Sequence, residues 1–211
     1  MSARGEYPGG QHCAARSFVR QNFEVGPTAC HDLPNLPRKQ KARRNGRAFL
    51  ASNQKLAAGE IVCHQPSETY RQERWSDAIR EFDRFVAITG SVEQNPVLAD
   101  CHRALGHHSD VESLWSELAE SSPGAALVAE GRIVMAGSLA DRGRIDDAIR
   151  LLERARLGAK HPESHHLRLW YALADLYERA GDVPRARELF ERVARHDPQM
   201  GFVGDRIRSL A

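Results

Sequence analysis

The sequence has little of what staples a chain or spans a membrane. Its 211 residues include only four cysteines, Cys13, Cys30, Cys63 and Cys101, too widely separated for a zinc knuckle or a tight disulfide framework. Each adjoins a histidine (His12, His31, His64 and His102). Neighbours on a helix point about 100° apart, so such a pair does not share an ion. Free thiols in a reducing compartment are expected, with no metal and no cofactor. The longest low-polarity stretch, Ala125 to Ala140, is interrupted by Glu130 and Arg132 and is too short for a bilayer. The opening "MSARGEYPGG" has no apolar core and predicts no secretory leader, so a cytoplasmic location is expected. No run alternates Val, Ile and Thr as a strand does. No Gly-rich loop between strand and helix offers a phosphate cradle. No Cys–His pair has a third group nearby to orient it. Nothing in the sequence reads as an enzyme.

What is present divides into two textures. Apolar residues make up 41% and charged residues 27%, as in ordinary globular proteins. The formal net charge of +2 conceals an asymmetry: residues 1–66 hold ten Lys/Arg against four Asp/Glu, and residues 67–211 hold twenty against twenty-four. The first segment also carries half of the prolines (Pro8, Pro27, Pro34, Pro37 and Pro66) and no sustained hydrophobic period. It is expected to be irregular and largely disordered, with one helix at Arg47 to Ala58. From residue 67 onward apolar residues recur at i, i+3, i+4 and i+7 in segments of helix length that end near Gly, Pro or Asp. This second part, residues 67–211, is expected to be all-α.

The helical segments repeat. Gly106, Gly143 and Gly181 are spaced by 37 and 38 residues. Around Gly181 the stretch "WYALADLYERAGDVPRARELF" places Trp170, Leu173, Ala174 and Tyr177 before the turn and Ala186 and Phe190 after it, with Pro198 closing the unit. The small residues stand where two helices must approach. The large ones fill the space toward neighbouring units. Gly181 permits a left-handed helix end. A weaker copy holds Met135, Ala136, Leu139, Gly143, Ala148 and Leu152. The one before it has Leu98, Ala99, Gly106 and Trp115, with Val111 in the small position. Ala78 and Phe82 mark a fourth second helix, preceded by no convincing first one. Phe202, Val203, Ile207 and Leu210 predict a short helix covering the last apolar face.

That order of residues resembles the tetratricopeptide repeat pattern, with Ala174 where the pattern has glycine. More narrowly, the texture is similar to a family of actinobacterial proteins of this class. The resemblance implies a right-handed α-solenoid of three to four stacked helix hairpins, with an irregular N-terminal segment outside it. It also implies a scaffold or adaptor that binds another protein's peptide or helix in a concave groove. Groove positions carried over to this chain are Arg168, Tyr171, Asp175 and Glu178 in the last copy, Glu130 and Ile133 (with Gly137 and Ala140) in the one before, and Glu93, Asp100 and Arg103 (with Pro96) in the first. This set is mixed in charge. It lacks the Lys/Asn/Arg clamp with which some chaperone adaptors hold a C-terminal carboxylate.

One alternative remains at this stage. The run "RKQKARRNGR", Arg38 to Arg47, is basic enough to contact nucleic-acid phosphates without sequence preference. It has no interleaved aromatics for base stacking.

Overall fold

One turn, made four times, sets the architecture. In the computed structural model, which describes residues 67–155 and 157–210, a left-handed residue stands five positions before a fully buried second-helix residue at Glu73/Ala78, Gly106/Val111, Gly143/Ala148 and Gly181/Ala186. Each turn residue's N–H donates to the carbonyl three residues back, at 3.0–3.1 Å. The next N–H donates to the carbonyl five residues back, at 2.8–2.9 Å. This reciprocal pair satisfies the last carbonyls of the first helix and reverses the chain.

The turns connect α1 (Ser67–Arg71) to α2 (Trp75–Thr89), α3 (Asn95–Ala104) to α4 (His108–Ser121), α5 (Ala125–Asp141) to α6 (Ile145–Glu153) and α7 (Ser164–Arg179) to α8 (Val183–Ala194). A single 3-10 turn, Met200–Phe202, leads into α9 (Val203–Ser209). Among the described residues there is no strand. Each inner first helix packs on its own partner and on both helices of the preceding pair: α5 on α3 and α4, α7 on α5 and α6. That is the contact pattern of a helical-repeat solenoid, and it explains why α5 is apolar on nearly every side.

The repeating residues do the same job in each pair. Ala78, Val111, Ala148 and Ala186 have no exposed surface, and neither have Phe82, Leu152 and Phe190 four positions beyond three of them. The first pair therefore does have a first helix, α1, but only five residues long. Its turn residue is Glu73 at φ 59°, a conformation that costs a non-glycine residue about 1–2 kcal/mol. A further close approach was not signalled by the repeat. A Cβ on Gly131 would lie 2.3 Å from Leu118 Cδ2, so this glycine lets α5 cross tightly over α4.

α2 begins at Trp75, and Asp77 in its first turn is bridged by Arg74 and Arg80. α7 begins at Ser164 and so includes two histidines. His165 is buried, and His166 Nδ1 accepts the Glu163 N–H at 3.1 Å in a capping box. Phe202 does not cover the last repeat. It is 69% exposed in a left-handed conformation, and Met200 and Val203 are buried instead. The expected helix at Arg47 to Ala58, the basic run and the segment 1–66 lie outside the described residues.

The terminal helix is anchored by one side chain. From α9, Arg206 Nη2 donates to Asp175 Oδ1 at 2.8 Å and to Glu178 Oε2 at 2.7 Å, and its guanidinium lies 5.0 Å from the Phe190 ring centroid. The two carboxylates outweigh the cost of partial burial and hold its pKa above the ordinary value. Arg206→Ala should lower stability by about 1–2 kcal/mol. Denaturant unfolding would check this. A loss well under 1 kcal/mol would show that α9 is held by Val203 and its apolar neighbours alone.

Candidate partner-binding groove

The side-by-side first helices α3, α5 and α7 form one face of the array, and five of the twelve expected groove residues meet there. Arg103, Ile133, Gly137, Tyr171 and Asp175 line a crevice of about 40 Å³, together with Ala172, Leu176 and Arg179. A Cβ on Gly137 would sit 3.4–3.5 Å from Arg103 Cδ and Nε, in ordinary contact, so the Arg103 side chain runs beside this part of α5. The floor is aliphatic. Of its charged residues Arg103 is buried, Asp175 half-buried and Arg179 exposed.

Most of the expected polar groove residues are engaged within the chain. Arg168 pairs with the buried Glu130 across the α7–α5 contact. Burial raises the Glu130 pKa, and Arg168 works against that rise. Arg103 and Asp100 are bound to each other within α3 (2.7 and 2.9 Å), and Arg103 Nη1 reaches Asp141 at the end of α5 (2.8 Å). Tyr171 is buried, donates its hydroxyl to the Gly201 carbonyl at 2.8 Å, and stacks edge-on against Phe190. Asp175 and Glu178 face Arg206. Glu93 is exposed in the turn before α3, away from the crevice.

The links between pairs have a period. Arg103–Asp141 and Glu130–Arg168 are each separated by 38 residues, one repeat length. Arg179, exposed at the end of α7, adds a link of 39 residues by donating to the Ala140 carbonyl at 3.2 Å. Arg179 and Arg206 were not among the expected groove residues. Arg206 lies past Pro198, where the repeat register ends, so no pattern position points to it.

Other chemistry is scarce around the crevice. Cys101 is fully buried, and burial followed by the neighbouring Asp100 charge pushes its thiol pKa up, which keeps it protonated. Among the described residues no helix is long and apolar enough to cross a membrane.

The tetratricopeptide repeat family model matches residues 133–200, from within α5 to the end of the turn after α8. Over that stretch, which has the helix pairs and buried signature residues described above, the chain carries tetratricopeptide repeats. No curated protein matches it. Repeats of this family generally mediate protein–protein interaction, and proteins built from them are typically scaffolds rather than enzymes.

Proposed function

We propose that the chain is an adaptor that binds a segment of a partner protein across the face of α3, α5 and α7. The supporting observation is the crevice. It is an aliphatic slot lined by Ile133, Ala136, Ala172 and Leu176, with the Arg179 guanidinium at the rim. Its volume of about 40 Å³ suits one small aliphatic side chain. Arg179 favours a carboxylate beside it. A peptide with a small aliphatic residue next to Asp or Glu is the complementary chemistry. Because packed helices hold the slot, the array itself would order little on binding.

The test is capture from native extract by the full chain, with nuclease present and absent, followed by mapping of the bound segment. Ala172→Glu places a charge in the slot at a half-buried position, and Glu188→Arg on exposed α8 is the control. The groove function predicts nuclease-resistant capture that Ala172→Glu reduces at least about tenfold and Glu188→Arg leaves unchanged. Equal capture by both variants would place binding elsewhere. Capture abolished by nuclease and by neutralising Arg38 to Arg47 would favour nucleic-acid association.

A further inference from the structure

A second cluster of chemistry lies at the turn of the α3–α4 pair, away from the crevice. His102 ends α3, His107 precedes α4, and Asp110 stands in the first turn of α4. The Gly106 turn folds these residues together. His102 Nδ1 and His107 Nδ1 are 3.4 Å apart, and His102 Nδ1 is 3.8 Å from Asp110 Oδ2. Ligand atoms of all three lie within 4.8 Å of one another.

Two imidazole nitrogens facing each other need a shared cation or proton between their lone pairs. A proton serves one pair of atoms only. An ion bound to nitrogen at about 2.0–2.1 Å with tetrahedral angles separates two such nitrogens by about 3.3–3.4 Å, the spacing found here. The carboxylate belongs to an exposed side chain, which reaches tetrahedral spacing by closing about 0.5 Å toward His102 and at most about 1.5 Å toward His107. Two neutral imidazoles and a carboxylate form a donor set for a first-row divalent ion, with one position left for water. His108 is not part of the set, since its Nδ1 is 2.8 Å from Ser138 Oγ.

We propose that His102, His107 and Asp110 bind a zinc-class divalent ion that clasps the turn between α3 and α4. The ion joins the last turn of one helix to the first turn of the next. It does so in a pair whose repeat signature is degenerate, where Val111 replaces the usual small residue. The sequence signal is faint, because His-x4-His-x2-Asp becomes a constellation only once the left-handed turn at Gly106 is formed.

The untagged full chain, stripped of metal, would be titrated with Zn2+ against a chromophoric chelator, and Co2+ would report ligand type. One equivalent should bind, with an intense tetrahedral Co2+ spectrum free of a thiolate charge-transfer band. His107→Gln should weaken that equivalent by about 100-fold or more, and Asp110→Asn by at least about tenfold. Zn2+ should raise the melting temperature of the parent but not of His107→Gln. His107 is exposed, its side chain makes no capping bond to α4, and its polar contact with His102 lies at the surface, so the metal-free variant should melt close to the metal-free parent. Unchanged affinity in His107→Gln overturns the proposal. So does a thiolate band on the ion that His107→Gln removes, which would assign that ion to cysteines, and so does the absence of binding at millimolar Zn2+.

Discussion

Asp100→Ala should destabilise the array by about 3–5 kcal/mol, the range for removing one partner of a buried ion pair. Asp100 and Arg103 are 2% and 3% exposed, so neither charge has water to fall back on. The carboxylate accepts from Arg103 Nε and Nη2 on one oxygen and from Tyr70 Oη, at 2.6 Å, on the other. Arg103 then reaches Asp141. One network thus ties α1, α3 and α5, three successive first helices. Burial, then the neighbouring carboxylate, drives the Tyr70 hydroxyl far above its ordinary pKa and keeps it a donor. Deleting Asp100 leaves a buried guanidinium held by Asp141 alone and a phenol without its acceptor. Urea unfolding followed by far-ultraviolet circular dichroism would measure the loss. Asp100→Leu combined with Arg103→Met and Tyr70→Phe should recover most of it, since an apolar replacement of the whole network leaves no charge stranded. A loss below about 1 kcal/mol for Asp100→Ala would mean that water reaches the network.

Trp170→Ala should cost about 3–5 kcal/mol by removing the largest fully buried side chain of the array. Its indole N–H donates to the Leu157 carbonyl at 2.9 Å, and the Arg192 guanidinium lies 3.9 Å above the ring. The side chain therefore joins three pieces: α7, the segment before it and α8. Trp170→Phe keeps a ring but loses the hydrogen bond, and should cost about half as much or less. Calorimetric melting distinguishes the two. If Trp170→Ala melted within a few degrees of the parent, the α7–α8 pair would be held mainly by Phe190 and Leu173.

The fold was legible where the repeat chemistry is strict. Ala174, Ala186 and Phe190 are all fully buried, because backbone approach leaves those places little choice. The four-pair organisation was legible from Ala78 and Phe82, although α1 was not, since a five-residue helix cannot show a hydrophobic period. The face of the first helices was read less completely. Its positions were assigned, but what fills them depends on partners 30–31 residues away in sequence. Tyr171 lies beneath Gly201, Asp175 beneath Arg206, and Asp100 beside Tyr70, none of which a single unit encodes. Periodicity reports the environment that every unit shares. It says nothing of contacts made once.

The turn at Glu73 has a consequence for how the array comes apart. In a stack coupled only between neighbours, the free energy of opening is a profile along the stack rather than one value. The α1–α2 pair has the shortest helix, the one turn among the four whose left-handed residue carries a side chain, and a neighbour on one side only among the described residues. Opening should therefore begin at this pair and travel toward α5, where neighbours pack from both directions. Amides of α1 and α2 would exchange with solvent long before those of α5 and α7, and a partner that grips the first pair would close the gradient without touching the last.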